Sequence, residues 1–482
     1  MARRSGGRVA LAALSSFLVL SPAARATTLQ EALVATYMGN PTLTGQRAAL
    51  RATDEDVALA RAAGRPQIGV NASATQGVDG LRQFSQFNRQ LGAGASVNLP
   101  LFQGGRVRNA THAADARVAG GRATLRATEG DVFVQAVAAY MDVLRDRVIV
   151  ELNVNNVKVL QTNLEATKDR FQAGDLTRTD VAQSQARLQD GQSQLASVRA
   201  TLVASEENYR RVIGTGAATL DQPPPLPALP DTPEKAEATA IDENPDIASA
   251  VAAVKAARFD VQTQRAARMP TLSASAGSNY YNNTGGFGTF PHQHGDYSTV
   301  GVTATLPLYQ GGQVAAQVRQ AQAFESQAME NQTAVERQVV ADTRAAFSRY
   351  QAALEVIQSS EGAVSANTLA LEGVRAENSV GERQVLDVLN AEQELLSSEE
   401  ALESARHDAY VAGFDLLNAM GLVNYKHLGL EGGALYDPVV HYNRSRSALS
   451  DYAEDPRPAP IAKPTYGPRL IDENPPVTPP VN

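Results

Sequence analysis

Hydrophobic and polar residues alternate with a period of two in four short segments of this chain. Residues 67–76 and 91–101 place Ile, Val, Leu or Ala on one face and Asn, Ser, Thr or Gly on the other. Residues 271–281 and 297–308 show the same alternation. Alternation over about ten residues, with small polar residues on the second face, is typical of a tilted strand in a membrane barrel. We therefore predict four such strands.

Apolar residues recur at every seventh position in two much longer segments, residues 104–213 and 311–420. Both segments lack proline, which costs a helix interior about 3 kcal/mol or more. The recurring positions are Val143, Val150, Val157, Leu164 and Phe171, Val181, Leu188, Leu195, Leu202 and Tyr209, then Tyr350, Ile357, Val364 and Leu371, and Val388, Leu395, Leu402, Ala409 and Leu416. A strict interval of seven predicts supercoiled helices. Each segment is therefore predicted to be an antiparallel helical hairpin that turns near Gly174 or Gly381.

The strand and helix patterns occur twice, which indicates an internal duplication. The junction Leu99-Pro100-Leu101-Phe102-Gln103-Gly104-Gly105 returns 207 residues later as Leu306-Pro307-Leu308-Tyr309-Gln310-Gly311-Gly312. The chain accordingly divides into a first repeat (27–214), a proline-rich linker (215–233), a second repeat (234–422) and a C-terminal segment (423–482). Beyond residue 430 the composition is rich in Pro, Asp and Arg and predicts a mostly disordered tail.

The first 26 residues have the pattern of an export signal. Three arginines precede an apolar run at residues 9–20, and Ala24-Arg25-Ala26 forms a small-x-small cleavage site. The run is shorter than the ~20 residues of a spanning helix. Without this segment the chain carries 39 basic and 51 acidic residues, a net charge of −12, which argues against nucleic-acid binding. The chain has no cysteine, so disulfides, zinc-thiolate sites, thiol nucleophiles and a lipidated cysteine are excluded.

Four strands are too few to close a barrel, and open sheet edges are not tolerated in lipid. Copies of the chain must therefore share one barrel. Two copies supply eight strands, three supply twelve and four supply sixteen, and the strand pattern alone does not choose between them. The long hairpins that leave the strands can pack side by side as a hollow cylinder. The sequence thus predicts a tube that continues the barrel wall.

These features resemble the TolC family of outer-membrane efflux and secretion conduits, over residues 29–422. The resemblance rests on the paired Leu-Pro-Leu-aromatic-x-Gly-Gly junctions and the paired hairpin tips. It implies an α+β membrane protein of a Gram-negative outer membrane, in which a homotrimer forms a twelve-stranded β-barrel continued by an α-helical coiled-coil tunnel across the periplasm. The linker and the C-terminal segment would form an equatorial band around this tunnel.

The resemblance also implies partners and a contact surface. The duct would be surrounded by outer-membrane lipid and would dock onto a periplasmic adaptor (membrane fusion) protein and an inner-membrane pump of the ABC or RND type. The hairpin-tip residues expected to contact the adaptor are Gly174, Asp175, Leu176, Gly381 and Glu382. The absence of a lipid-anchor cysteine and the extended C-terminal tail favour protein secretion over drug or metal efflux.

Residues near the tips match the closed end of the tunnel in this family. Thr179 and Asp180 match positions of a gate lock, and Arg383 matches the arginine that bonds across to them. Asn378 stands where a lock tyrosine is expected, so the bond network departs from the family pattern. The alternative is that these residues are solvated charges on a helix surface.

A second group of positions matches a ring of charge at the narrowest point. Asp387 matches an acidic ring, and three carboxylates in a narrow pore favour cations. Asn390 stands where a second ring aspartate is expected, so we predict a single rather than a doubled ring.

The remaining motifs give weaker indications of function. His292-x-His294 is predicted to lie in a polar loop, where metal binding is the alternative to simple solvation. The paired glycines at each strand-to-helix junction are explained by the turn and lack the Lys-Ser/Thr of a phosphate loop. No nucleophile-base or paired-carboxylate pattern stands out, so we predict neither an enzyme nor a cofactor. A trimeric structural or adhesive coiled-coil surface protein is the alternative functional class.

Overall fold

The computed structural model describes residues 26–76, 89–284, 292–430 and 435–462. The predicted signal sequence, apart from Ala26, lies outside these ranges, as do residues 77–88 between the first two strands and the tail beyond 462. The helices are α1 (Leu29–Gly39), α2 (Pro41–Ala62), α3 (Arg106–Ala173), α4 (Arg178–Ile213), α5 (Pro233–Glu243), α6 (Pro245–Arg265), α7 (Gln313–Ser379), α8 (Val385–Ala419) and α9 (Pro438–Ser447), and the strands are β1 (Gln67–Gln76), β2 (Arg89–Gln103), β3 (Thr271–Thr284) and β4 (His292–Thr305). Within the described ranges no helix combines the length and the apolar character that crossing a membrane requires.

The four strands form one antiparallel sheet in the order β1-β2-β3-β4. Strands β1 and β2 pair from Gln67 opposite Asn98, and β3 pairs with β4 from Thr271 opposite Thr305. Apolar side chains on the sheet are not covered by other described residues, and Val70 and Val300 are 82% and 87% exposed. The sheet therefore has an uncovered apolar surface and two unpaired edges, β1 and β4, within the described part of one chain.

The fourth strand differs from its predicted position. It begins at His292 instead of residue 297, so His292 and His294 lie in β4 opposite Thr284 and Asn282 and not in a loop. Both faces are polar here, so the alternation that marks a strand is absent from the sequence. The strand ends at Thr305, three residues short of the prediction, whereas β2 continues to Gln103 because its last residues pair with β3 past a bulge.

Glycines set the junctions between strands and long helices. Gly105 precedes α3 and Gly312 precedes α7, with φ angles of 84° and 82° in the left-handed region that favours glycine. The helix that follows Gly105 has 68 residues, about 100 Å at 1.5 Å per residue. The predicted long hairpins are present as α3 with α4 and α7 with α8, and each turns at a glycine of positive φ, Gly174 and Gly381.

Helix α3 is central to the chain because it packs against both halves of the duplication. It contacts its hairpin partner α4, the short helices α2 and α6, and α8 of the second repeat. The largest apolar cluster lies where α1, α3, α4, α7 and α8 meet, and its fully buried aromatic residues are Phe133, Tyr140 and Tyr209. The Tyr140 hydroxyl donates to the carbonyls of Thr27 and Asp221 at 2.8 and 2.7 Å, which fastens the start of the linker to this core.

Part of the C-terminal segment is ordered, which corrects the prediction of a disordered tail from residue 430 onward. Helix α9 begins with Asp437 as N-cap and Pro438 in its first turn, and it packs against α2. Its Tyr442 hydroxyl donates to Asp115 at 2.7 Å, and His441 Nδ1 lies 3.0 Å from the buried Asp54. Average composition misses such a segment because a few aromatic and capping residues are enough to attach it.

The duplicated junctions provide a matched test of packing. Gly104 and Gly311 both have φ of 60°, but a Cβ at Gly104 would collide with Met269 and come within 2.8 Å of the Ala266 carbonyl, whereas a Cβ at Gly311 meets nothing within 4 Å. We expect Gly311→Ala to cost about 1–2 kcal/mol for the left-handed conformation. Gly104→Ala should cost about 1–3 kcal/mol more for the collision. Denaturant unfolding midpoints in detergent measure both costs, and equal midpoints would contradict the packing difference.

Candidate gate at the hairpin tips

Each hairpin tip places an aspartate in the first turn of its second helix. Asp180 is the third residue of α4 and Asp387 is the third residue of α8, and both take part in capping boxes. The backbone N–H and the hydroxyl of Thr177 both donate to Asp180 at 2.8 Å, and these bonds hold the pKa of Asp180 below its usual value. Gln384 N–H donates to Asp387 at 3.2 Å. Local capping therefore fixes where both carboxylates lie.

The predicted lock arginine pairs within its own hairpin. Arg383 Nε donates to Glu377 at 2.8 Å, and the Asn378 amide donates to the Arg383 carbonyl at 2.8 Å. The hydrogen bond and charge of Glu377 raise the pKa of Arg383. Both side chains are about half exposed. Within one chain the structure does not bring Arg383 to Asp180, and it leaves Thr179 exposed at the other tip.

A contact that the sequence analysis missed joins the two hairpins of one chain. Arg187 on α4 donates to Asn390 on α8 at 2.6 Å. Asn390 was identified only as a departure from an acidic ring, yet its amide oxygen accepts a hydrogen bond from the neighbouring hairpin. Paired residues that lie 203 positions apart leave no mark on the periodicity of either segment.

A second missed contact lies two residues further along α8. Glu392 on α8 is 6% exposed and accepts two bonds from the Asn163 amide on α3, at 2.8 and 3.0 Å. Arg375 on α7 donates to the same carboxylate at 3.0 Å. A buried carboxylate thus joins three helices. Its position between Leu389 and Leu396, at helical spacings of three and four, is the sequence signal that it lies on the buried face.

Apolar contacts support this polar network. Val157, Leu160 and Leu164 on α3 pack with Leu188 on α4 and Leu389 on α8. Gly191 on α4 permits this approach, because a Cβ there would lie 2.8 Å from the Leu160 side chain. Helix α8 is therefore held along the first hairpin by packing as well as by hydrogen bonds.

The contact between α3 and α8 continues away from the tips. Asn153 donates to Glu400 at 2.6 Å, and His407 Nε2 lies 3.0 Å from Asp142. Burial lowers the pKa of His407, but its contacts with Asp142 and Asp408 outweigh burial and raise the pKa overall. Burial raises the pKa of Asp142, but the contacts with His407 and Arg145 lower it overall. The two pKa shifts favour a charged pair between the hairpins.

The chain is similar in sequence to known proteins. The family model described as "Outer membrane efflux protein" matches residues 32–215 and 238–422, close to the two predicted repeats. The chain is 35% identical over 436 residues to the outer membrane efflux protein BepC of Brucella suis biovar 1, covering 90% of this chain and 94% of BepC. It is 26% identical over 480 residues to the outer membrane protein TolC of Escherichia coli, covering 94% of each chain.

The fold is shared with a solved outer-membrane protein. The crystal structure of VceC from Vibrio cholerae matches with a TM-score of 0.69 at 22% identity, covering 82% of this chain and 96% of VceC. The four-stranded sheet with its two long hairpins is therefore a known architecture, and the predicted fold class is confirmed.

The His407–Asp142 pair predicts how stability depends on pH. Since the pKa of His407 is raised, its contribution is fully present below its unfolded pKa of about 6.5 and is lost as pH rises through the higher folded value. Since the pKa of Asp142 is lowered, its contribution is lost only as pH falls through its folded value, below about 3.8.

We therefore expect the denaturant midpoint of the wild type to exceed that of His407→Gln at pH 5.5, and this difference to shrink by pH 8.5. His427→Gln is the matched control, because the exposed His427 ring bonds to the neutral Asn424. A difference between wild type and His407→Gln that is constant with pH would contradict the charged pair.

Proposed function

This chain belongs to the outer membrane efflux protein family, and from that premise we propose that its two hairpin tips form the periplasmic gate of the duct. The protein is a passive outer-membrane exit duct of an export system and not an enzyme. This membership replaces the alternative of a structural or adhesive surface protein. We further propose how copies assemble, which residues form the gate and which partners open it.

The proposed assembly rests on the open edges of the sheet. Strands β1 and β4 are its edges, and the sheet is antiparallel throughout. Strand β4 of one copy can therefore pair with β1 of the next and preserve the alternation of strand direction. Closure satisfies the edge N–H and C=O groups, which lipid cannot do. Three copies supply twelve strands, which agrees with the homotrimer that the family resemblance implies.

In the assembled duct, Arg383 would bond to a carboxylate of a neighbouring copy in place of Glu377. The Arg383–Glu377 pair is exposed and therefore contributes little to stability. Asp180 of a neighbouring copy is a second carboxylate that Arg383 can reach when the tips converge, and Thr179 lies beside it. The closed state is then held by reversible charge-assisted bonds between copies.

Asp387 would supply the ring of charge at the constriction. The capping bond from Gln384 fixes the carboxylate at the start of α8, so each copy presents it at the same height. Asn390 is engaged by Arg187 and adds no charge. One carboxylate per copy in a narrow pore attracts cations and repels anions.

Opening requires the tip of the second hairpin to move away from the tip of the first. The Glu392–Asn163 and Asn390–Arg187 bonds join the two hairpins, whereas the Glu392–Arg375 bond lies within the second hairpin. The first two must break while the third can persist. A periplasmic adaptor that contacts the exposed tip residues around Gly174 and Gly381, together with an inner-membrane pump of the ABC or RND type, would supply the required free energy.

The charge ring predicts ion selectivity. Asp387→Asn removes the charge but keeps an oxygen that can accept the capping bond from Gln384, so the tip should remain folded. We expect the permeability ratio of K⁺ to Cl⁻ in planar bilayers to fall markedly toward one. Asp231→Asn, in the exposed linker, should leave the ratio unchanged. Equal ratios in wild type and Asp387→Asn would place the constriction elsewhere.

The Glu392 network predicts the stability of the closed state. Glu392→Gln weakens the bonds to Asn163 and Arg375, and bonds to a charged group contribute about 1.5–3 kcal/mol. We expect the open fraction in single-channel records to rise by about tenfold or more. Glu394→Gln is the matched control, because Glu394 lies two residues away on the exposed side of α8. An open fraction that rises equally in both variants would exclude a specific role for Glu392.

A further inference from the structure

A cavity of about 630 Å³ lies far from the hairpin tips, between the first repeat and the C-terminal segment. Helices α1, α2 and α3 form one side, and the chain after α8 and the start of α9 form the other. Its lining includes Tyr37, Arg47, Arg122, Glu129 and Tyr436. Small-molecule sites in proteins have volumes of about 300–1,000 Å³, so the cavity is large enough for such a ligand.

Two arginines in this cavity have polar atoms without a partner. Arg47 is 9% exposed, and its Nη2 atom donates to no carboxylate and no carbonyl among the described residues. Arg122 Nε and Nη2 are buried and are likewise unpaired within the described ranges. A buried donor that loses water without gaining a partner costs free energy, so such atoms are normally satisfied by a protein group or a ligand.

Aromatic rings surround the same guanidinium groups. The Arg47 guanidinium lies 4.2 Å from the ring centre of Tyr37 and 5.4 Å from that of Tyr436. Arg122 lies 5.0 Å from the ring of Tyr442 at the cavity edge. Stacking holds each guanidinium plane in place and leaves its N–H edge free for a planar or tetrahedral oxyanion. The Tyr436 hydroxyl is also buried without a partner in the described part of the chain.

Positive side chains outnumber carboxylates in the cavity lining, although the buried Asp54 lies near Arg122 outside it. Glu129 is the deeply buried carboxylate of the lining, and its Oε1 atom accepts the Tyr425 N–H at 2.8 Å. Burial raises the pKa of Glu129, and the Tyr425 N–H, Arg47 and Arg126 act in the opposite direction. Asp437 accepts from Val439 N–H as the N-cap of α9, and Glu243 lies at the exposed rim. Arg126 and Lys426 add two further positive charges to the lining.

We propose that this cavity binds a small organic anion, whose carboxylate or phosphate group pairs with Arg47 and Arg122 and whose apolar body packs against Tyr37 and Tyr436. Arginine binds such groups through two parallel N–H bonds, and aromatic rings accept a flat or aliphatic body. Every lining residue used here comes from one chain, so each copy carries a complete site. The site is independent of the gate, because none of its residues contributes to the hairpin tips.

Isothermal titration calorimetry of the purified full-length protein in a neutral detergent tests the site. Phenyl phosphate is the probe, inorganic phosphate tests the oxyanion alone, and benzyl alcohol tests the apolar body alone, all at constant ionic strength. We expect saturable binding of one phenyl phosphate per chain, with weaker binding of inorganic phosphate and none of benzyl alcohol. No saturable binding of phenyl phosphate would overturn the proposal. Equal affinity for benzyl alcohol would overturn its anionic part, and equal affinity for inorganic phosphate its organic part.

Substitutions of the two arginines test whether phenyl phosphate binds in this cavity. Arg47→Gln and Arg122→Gln should each weaken phenyl phosphate binding by about tenfold to a hundredfold, since each removes bonds to a charged group. If Arg47→Gln does not fold because its stacking is lost, Arg122→Gln decides alone. Arg344→Gln is the control, because Arg344 is an exposed arginine paired with Glu237 away from the cavity. Unchanged affinity in the folded cavity variants, or equal losses in the control, would assign the binding to another surface.

Discussion

Unpaired backbone groups at the two edges of a small sheet constrain the rest of this molecule. Among the described residues, strands β1 and β4 each have one side without a neighbouring strand, and lipid offers no hydrogen bonds to replace it. The edges must therefore meet those of other copies. Once the sheets of the copies close into a barrel, the long helices α3 and α7, which follow β2 and β4, are arranged in a ring. The tunnel is thus a consequence of satisfying strand edges and not a separately specified structure.

The internal duplication gives two similar segments different environments. Helix α3 is buried between helices of both repeats, whereas α7 keeps large apolar side chains exposed, including Phe324 at 58% and Leu369 at 71%. Gly104 is enclosed by Met269 and Ala266, while Gly311 faces open space. The same residue pattern is therefore used once inside the chain and once on a surface available to a neighbouring copy. Periodicity identifies both helices but does not show which of them faces another copy.

Local rules explain why much of the fold can be predicted from the sequence. Period two defines β1 to the residue, and glycines with positive φ at positions 174 and 381 define the hairpin turns. The errors have physical causes. The start of β4 at His292 lacks apolar alternation, and α9 is attached by single residues such as Tyr442. The gate residues were placed by family resemblance, but the Glu392 contact joins positions 229 residues apart and has no local signature beyond burial.

The contacts between hairpins differ in strength along the tunnel, and this gradient bears on how a duct can open from one end. At the tips, the Arg187–Asn390 bond between α4 and α8 is exposed to water. Two residues further along α8, Glu392 is buried and bonded to both hairpins. Further still, His407 and Asp142 join α3 to α8 beside the largest core. In the proposed gate, the exposed Arg187–Asn390 contact lies at the tips, so the tips could separate while the shaft stays intact. Under that proposal, the buried Glu392 contact sets the free energy that opening requires.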